Sequence, residues 1–413
     1  MKSLLEDKHT NPGILGEPIP LDRIATPALL VDEARLTRNL EGMARLAESA
    51  GVALRPHVKT HKSPDLARRQ TARGAQGLCT ATVREATVFA GHGFRDILVA
   101  YPILGVAAET LARLGADTEG LDLACTADSE RGLDDLSRAA LRAGVTLGVW
   151  IEVDTGLRRC GVPPGDPRLD ALAKRARSLH GLRLRGLLTH AGHAYAADPK
   201  DVPSIGRSEG EQMVEAATRL DRAGLGPLRV GLGSTPTVYH AARVAGVGEI
   251  HAGVYVFGDR QQARLRAMRL DDVALTVLTT VVSGPGAGRR VVDAGSKTLS
   301  ADRGAHGTEG VTGFGCLRAL EDHVAPTGPI PFQTPAAADD SALAGPVLAR
   351  LSEEHGMVED PGADRFAPGD RVEVLPNHAC AAVNLARTLY VTRGEGRDRE
   401  VVAAWPVAAR GGI

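Results

Sequence analysis

The chain has 413 residues, more than one hydrophobic core usually serves, so we expect two domains. Apolar residues make up 43% of the sequence, as in an ordinary globular protein, and the net charge of −1 argues against nucleic acid or an anionic membrane as the main partner. The five cysteines are scattered and odd in number, which argues against a disulfide framework, and no apolar run is long enough for a signal peptide or a membrane span. These properties predict a cytoplasmic protein.

From residue 26 to about residue 270, short apolar runs alternate with helical patterns. The runs are 28–31, 53–58, 77–79, 97–100, 121–124, 147–153, 184–188, 229–231 and 249–252. Strand–helix alternation of this length indicates a parallel α/β sheet, and the number of repeats favours a (β/α)8 TIM-type barrel over an open sheet. We place this barrel at residues 26–268. Nine runs are one too many for eight strands, so one of them must lie elsewhere.

After residue 270 the pattern changes to β-rich segments that are separated by Gly/Pro turns instead of long helices. Four such segments are 273–282, 290–293, 371–375 and 386–391. They predict a second, mostly β C-terminal domain over residues 269–413, completed by residues 1–25.

One lysine stands in a strongly cationic stretch at the end of the second candidate strand. Residues 54–62 are LRPHVKTHK, so Lys59 is flanked by Arg55, His57, His61 and Lys62. Neighbouring positive charge disfavours the ammonium form, and a neutral lysine amine is what a Schiff-base nucleophile needs. A basic surface loop would have the same composition. The barrel context favours a functional role, because chemistry in such barrels lies at the C-terminal ends of the strands.

Later strand ends carry further polar groups. Arg159 follows a glycine turn after the sixth run, and His190, His193 and Tyr195 follow the seventh run within THAGHAY. The sequence GLGSTPT comes next, at 231–237. Glycine, serine and threonine at the start of a helix suit a phosphate group, and late strand ends are the usual phosphate location in barrels. Each motif is weak alone, but together they predict one site.

Seven segments between residues 26 and 304 carry a family resemblance that extends from about residue 26 to residue 405: TPALLVD, RPHVKTHKSP, EVDTGLRRCGV, THAGHAYA, GSTPT, EIHAGVYVFGD and DAGSKTLSADRG. Together they resemble the fold-type III pyridoxal-phosphate enzymes, in the branch that holds D-serine dehydratase and D-threonine aldolase. The resemblance implies that pyridoxal 5'-phosphate is bound covalently at Lys59 and that Arg159 bonds its phenolic oxygen. The remaining cofactor residues that we assign are His190, Tyr195, Ser234, Thr235, Gly253 and Tyr255.

The second domain contains a candidate metal motif in PNHACAAVNL at 376–385. In an extended segment residues i and i+2 face the same way, so His378 and Cys380 could share one ion. A thiolate–imidazole pair favours zinc, with manganese as the alternative, and two ligands leave positions open for substrate oxygens, as a catalytic site requires. A buried histidine and cysteine on one strand would look the same. The family resemblance favours metal binding.

The same resemblance implies a pyridoxal-phosphate- and metal-dependent lyase that acts on D-configured β-hydroxy amino acids. HAC at 378–380, GSTPT and HAGHAYA favour a D-serine dehydratase-like enzyme, which eliminates the β-hydroxyl and gives a 2-oxo acid and ammonia. Lys59 would remove the α-proton. The alternative is D-threonine aldolase-like cleavage to glycine and an aldehyde, with His193 as the candidate base.

Two further interpretations rank lower. A racemase of the alanine racemase type needs an opposing base, usually a tyrosine, from the β domain, and no tyrosine occurs between Tyr255 and Tyr390. Non-catalytic pyridoxal-phosphate-binding proteins are single barrels, which leaves the metal motif and the second domain without a role. Family members commonly form homodimers, and we expect a homodimer here, with a small D-amino acid as the substrate.

Overall fold

The structure, a computed structural model, describes residues 14–307, 311–334 and 345–411. Its contacts divide the chain into two compact units. The first, called the β unit below, comprises the described parts of Met1–Glu41, Thr60–Arg69 and Val254–Arg410. The second, called the barrel unit, comprises Gly42–Lys59, Gln70–Gly253 and the described part of the last three residues.

In chain order the strands of the described residues are β1 (Ile14–Pro20), β2 (Ala28–Asp32), β3 (Ala53–Leu54), β4 (Leu78–Thr80), β5 (Asp96–Pro102), β6 (Asp122–Ala127), β7 (Leu147–Val153), β8 (Leu182–Thr189), β9 (Arg229–Leu232), β10 (Glu249–Ile250), β11 (Leu275–Gly286), β12 (Arg289–Val292), β13 (Gly315–Ala319), β14 (Leu348–Leu351), β15 (Gly356–Glu359), β16 (Arg371–Pro376), β17 (Thr388–Arg393) and β18 (Glu400–Pro406). The α-helices are α1 (Glu33–Ala50), α2 (Pro64–Thr71), α3 (Val83–Gly91), α4 (Val106–Asp117), α5 (Glu130–Ala143), α6 (Pro167–Ser178), α7 (Val202–Arg222), α8 (Val238–Ala241), α9 (Arg260–Arg264), α10 (Ser296–Leu299) and α11 (Ala379–Leu385). No helix among the described residues is long and apolar enough to cross a bilayer.

The barrel unit contains eight parallel strands in the order β3-β10-β9-β8-β7-β6-β5-β4. The chain beyond β3 continues to a parallel bridge between His57 and Cys79 of β4, so the first and last strands of this order also meet. The predicted (β/α)8 barrel is confirmed. Its strands are parallel because a helix lies between each strand and the next one from β3 to β10 and returns the chain to the same end of the sheet.

Side chains from five consecutive strands fill a cluster in this sheet. Cys79, Leu98, Ala124, Trp150 and Leu188 are each at most 5% exposed and pack together. The bulk of the tryptophan is accommodated by a glycine on the next strand, since a Cβ at position 186 would meet the indole at 2.7 Å. The sheet is thus a packed core whose functional groups lie at its edge.

The described residues of the β unit form a ten-stranded sheet with the order β1-β18-β17-β2-β11-β12-β15-β14, to which β16 and β13 add through β11. Strand β2 is the surplus ninth run of the sequence: it pairs antiparallel with β11 and parallel with β17. The predicted mostly β second domain is confirmed. The proposed boundaries at 26 and 268 differ from the observed units, because β2 belongs to this sheet and residues 254–268 and 60–69 cluster with it.

Candidate active site

Lys59 lies in a short 3-10 turn, Val58–Thr60, immediately after the extended segment that follows β3. Its side chain is half-buried, and its backbone N–H points to Nδ1 of His57 at 3.4 Å. The bridge between His57 and Cys79 anchors the segment just before the turn. The lysine therefore stands at a strand end of the barrel unit, as the sequence predicted.

The barrel unit brings several of the predicted site residues close to His57. Burial lowers the pKa of His57 well below its usual range, and the positive groups of Lys59, His251, His190 and Arg159 lower it further. These groups therefore act on one buried imidazole, which stays uncharged at neutral pH. The structure thus places Lys59, Arg159 and His190 around a common point. Their roles toward a cofactor remain predictions.

Arg159 lies in the turn that follows β7. The carboxylate of Asp154 shapes this turn, because its Oδ1 accepts the N–H groups of Gly156 at 2.9 Å and Arg158 at 3.0 Å. The Arg159 guanidinium is 47% exposed and lies 3.9 Å from the buried carboxylate of Glu152. The side chain is therefore held at the strand end while remaining open to a ligand.

The turn after β8, residues 190–195, places His190 against the next strand end. Nδ1 of His190 lies 3.0 Å from the carbonyl of Gly233, and Tyr195 is 4% exposed. Burial lowers the pKa of His193, so its ring is neutral at neutral pH and fits the predicted role of a base. Among the described residues Nδ1 of His193 has no hydrogen-bond partner.

The predicted phosphate turn follows β9. Ser234 and Thr235 are 1% and 3% exposed, and the Ser234 hydroxyl lies 3.4 Å from the carbonyl of Ala191. Helix α8 begins soon after but has only four residues, so the expected help from a helix dipole is small. Gly253 ends the barrel unit. Tyr255 belongs to the β unit, where it is 1% exposed and contacts Phe332 edge-on.

The sequence interpretation missed a series of hydrogen-bonded, charged side chains that ends at the buried His251. Asp96 bonds the guanidinium of Arg55 at 2.6 and 3.0 Å, and Arg55 Nε bonds Glu249 at 2.6 Å. The same Glu249 oxygen accepts from His251 Nε2 at 2.7 Å, and Nδ1 of His251 is buried without a partner among the described residues. Although burial opposes ionisation, His251 and Arg55 lower the pKa of Glu249 to about 2. Glu249 and His251 stand two residues apart, a spacing that on a strand places them on one face and could have signalled the pair.

These residues fit pyridoxal 5'-phosphate. Ser234 and Thr235 offer buried hydroxyls for a phosphate, and Lys59 offers an amine at a strand end. Nδ1 of His251 is a buried polar atom without a partner among the described residues, and a bound ligand could supply that partner. The hydroxyls, the amine and this ring nitrogen belong to one unit and suit a phosphorylated, polar aromatic group.

The candidate metal residues lie in the β unit, at the junction of β16 and α11. His378 has an extended backbone and precedes the helix, whereas Cys380 lies in the first helical turn. The expectation that an extended segment pairs the two side chains is therefore wrong, because helix α11 begins between them. The two side chains are nevertheless close enough to interact. Burial disfavours the charged ring of His378, but Cys380, Asp302 and Asp259 hold its pKa well above its usual range.

The donor set suits zinc. Nδ1 of His378 bonds Asp302 at 2.7 Å, which is the usual way in which a carboxylate orients a metal-binding histidine. Cys380 Sγ lies 3.3 Å from the Thr60 hydroxyl. The described residues contain no cluster of three or more His, Cys, Asp or Glu groups able to hold an ion. A two-residue site with remaining positions filled by water or substrate is consistent with a catalytic ion.

Two family models match the chain. Residues 31–261 match the alanine racemase N-terminal domain, and residues 274–392 match a putative serine dehydratase domain. The first match covers most of the barrel unit and the second lies within the β unit. Both halves of the fold are thus accounted for by known models.

Two curated relatives align over nearly all of the chain. A D-threo-3-hydroxyaspartate dehydratase of Delftia sp. (strain HT23) is 37% identical over 368 residues, which cover 86% of this chain and 91% of that protein. A D-threonine aldolase of Arthrobacter sp is 31% identical over 396 residues, which cover 95% and 94%.

Solved structures of a D-threo-3-hydroxyaspartate dehydratase have the same fold. A histidine-to-alanine mutant has a TM-score of 0.84 at 34% identity, covering 96% of this chain and 97% of that one. A cysteine-to-alanine mutant in the metal-free form has a TM-score of 0.83 at 33% identity, covering 95% and 100%. The two mutated positions are two residues apart, the spacing of His378 and Cys380 in this chain.

Proposed function

Since the chain belongs to the fold-type III pyridoxal-phosphate family that includes D-threo-3-hydroxyaspartate dehydratase, D-threonine aldolase and D-serine dehydratase, we propose that it is a metal-dependent dehydratase of D-β-hydroxy amino acids. The reaction eliminates the β-hydroxyl and gives a 2-oxo acid and ammonia. D-serine, as the motifs favoured, and D-threo-3-hydroxyaspartate are the candidate substrates.

One observation carries the choice of dehydratase. The structures of the D-threo-3-hydroxyaspartate dehydratase include mutants of a histidine and a cysteine with the spacing of His378 and Cys380, and the cysteine mutant is in a metal-free form. The bond from Asp302 to His378 and the contribution of Cys380 to its raised pKa support the same use of these residues here. A soft thiolate ligand favours zinc.

In this proposal each residue has a defined task. Lys59 holds the cofactor at Nζ and moves the α-proton of the substrate, while Arg159 orients the ring and Ser234 and Thr235 hold the phosphate. Bound pyridoxal 5'-phosphate would supply an electron sink. A zinc ion held by His378 and Cys380 would supply Lewis acidity that favours departure of the β-hydroxyl.

A D-threonine aldolase-like activity is the second candidate. An enzyme that holds the same hydroxyl next to a base can break the Cα–Cβ bond instead, and the neutral ring of His193 is such a base. The 31% identity to a D-threonine aldolase over nearly the whole chain favours this alternative as well.

The proposed substrate class is tested with a panel of both enantiomers of serine, threonine and 3-hydroxyaspartate. The enzyme, saturated with pyridoxal 5'-phosphate and zinc, should release ammonia from D-substrates at least about 100-fold faster than from L-substrates, because the α-proton must face Lys59. Ammonia is measured by a coupled assay and the 2-oxo acid by derivatisation. Equal rates with both enantiomers, or no ammonia from any D-substrate, would refute the proposal.

A further inference from the structure

Glu209 of helix α7 joins two of the turns that carry the candidate site. One carboxylate oxygen accepts the Thr237 hydroxyl at 2.6 Å, and the other accepts the backbone N–H of Ala191 at 3.2 Å. Thr237 ends the phosphate turn, and Ala191 lies in the turn of His190. A single buried side chain therefore spans residues 190–195 and 234–237.

The close approach of the helix explains how Glu209 reaches both turns. Gly206 and Gly210 flank it along α7, and a Cβ at these positions would meet the Thr237 carbonyl at 2.8 Å and Val244 at 2.7 Å. Larger residues would therefore push the helix away from the segment that contains α8. The two glycines place the carboxylate within hydrogen-bonding distance of Thr237.

Glu209 is only 1% exposed, and its charged form is stabilised by the two hydrogen bonds from Thr237 and Ala191. Burial raises its pKa to about 7, and the hydrogen bonds from Thr237 and Ala191 offset only part of this rise. The titratable or charged groups of the 190–195 turn, of the α8 segment and of the adjacent turns of α7 are His190, His193, Tyr195, Tyr239, His240, Arg243, Arg207 and Glu211. Glu209 also lines a surface pocket with His193, Thr155, Ser204 and Gln212, which gives solvent protons access to it.

We propose that Glu209 is a positioning residue that fixes the phosphate turn against the turn of His190 and thereby sets the affinity for the cofactor's phosphate. The inference rests on the proposed use of pyridoxal 5'-phosphate. It assigns Glu209 no contact with substrate or cofactor.

The Thr237 hydroxyl gives this role a dependence on protonation. When Glu209 is ionised, the single hydroxyl proton is donated to its carboxylate. When Glu209 is protonated, it can donate to Thr237 instead, and the hydroxyl proton can turn to the Ser234 carbonyl at 3.4 Å. Protonation of Glu209 therefore allows a hydrogen bond within the phosphate turn, from Thr237 to Ser234. It also removes a buried negative charge from the vicinity of the phosphate. Phosphate affinity should be higher below the pKa of Glu209 than above it.

The test measures the affinity of the apoenzyme for pyridoxal 5'-phosphate and for pyridoxal, which lacks the phosphate, by absorbance titration from pH 6 to pH 8.5. Glu209→Ala should weaken pyridoxal 5'-phosphate binding by about tenfold or more at pH 6 and pyridoxal binding by less than about twofold. Glu209→Gln, which is neutral at every pH, should keep most of the affinity at pH 6. The ratio of wild-type to Glu209→Gln affinity should fall as pH rises through about 7.

Glu211→Gln is the matched control, because Glu211 is exposed on the same helix and its neutralisation should change neither ligand's affinity. An equal loss of both ligands in Glu209→Ala would indicate general damage to the fold and overturn the inference. Unchanged pyridoxal 5'-phosphate affinity in Glu209→Ala would overturn it too, while leaving the proposed function intact if the wild type is an active lyase. A wild type that binds no pyridoxal 5'-phosphate would refute both proposals.

Discussion

Lys59→Ala should abolish the absorbance band of bound pyridoxal 5'-phosphate and lower turnover by more than about 1,000-fold. Lys59 is the strand-end lysine of the barrel unit, and its amine is the group expected to hold the cofactor covalently. The absorbance band should be lost completely, because no non-covalent contact can replace the covalent bond between Lys59 and the cofactor. Absorbance scans and steady-state rates of the purified variant measure both effects.

Lys62→Ala is the matched control for this prediction. Lys62 lies three residues away, but it belongs to the β unit, where its ammonium group donates to the side chain of Asn384 at 2.6 Å. We expect this variant to keep the cofactor band. Borohydride reduction followed by peptide mapping locates the covalent attachment directly, and a label on Lys62 instead of Lys59 would show that the assignment is wrong.

Removal of the metal should separate cofactor binding from catalysis. In the proposal the ion at His378 and Cys380 acts on the β-hydroxyl of the substrate, and other residues hold the cofactor: Lys59, Arg159, Ser234 and Thr235. Chelation should therefore leave the spectrum of the bound cofactor nearly unchanged. Turnover should fall by about 100-fold or more, because the ion stabilises the leaving hydroxide by several kcal/mol.

Add-back of metals then identifies the ion. Zinc should restore more activity than magnesium, because a thiolate and an imidazole form a soft donor set. Cys380→Ala should bind zinc more weakly in equilibrium dialysis, while Cys316→Ala, which changes a buried cysteine of the same unit, should retain the metal. Full activity in a preparation shown by elemental analysis to contain no metal would contradict the Lewis-acid role.

The barrel was predictable because strand–helix alternation is a local property of the sequence. The exception was the run 28–31: its composition is that of a barrel strand, yet β2 pairs with β11 and β17, whose residues lie far along the chain. Strand partners are set by tertiary packing, which apolar composition does not encode. The count of nine runs indicated that one was misplaced but did not indicate which.

The candidate site was predictable as a set of residues and less so as an electrostatic arrangement. Arg55 was expected to crowd Lys59, but its charge is paired with Asp96 and Glu249. The sequence neighbours of a charged group do not reveal partners contributed by other strands. Glu209 was missed for the same reason, since its importance depends on burial and on a hydrogen bond from a distant turn. His251 has its partner Glu249 only two residues away, but the burial of this pair and its link to Arg55 depend on the packing of the barrel unit.

The central claim is elimination of a β-hydroxyl by a D-specific lyase, and D-threonine tests it most directly, because both candidate reactions start from this one compound. The measurement is the ratio of 2-oxobutanoate plus ammonia to acetaldehyde plus glycine, with enzyme saturated with pyridoxal 5'-phosphate and zinc. A dehydratase that uses His378 and Cys380 as proposed should give mostly 2-oxobutanoate, in amounts equal to the ammonia released. Predominant formation of acetaldehyde and glycine would show that the enzyme is an aldolase and contradict this account.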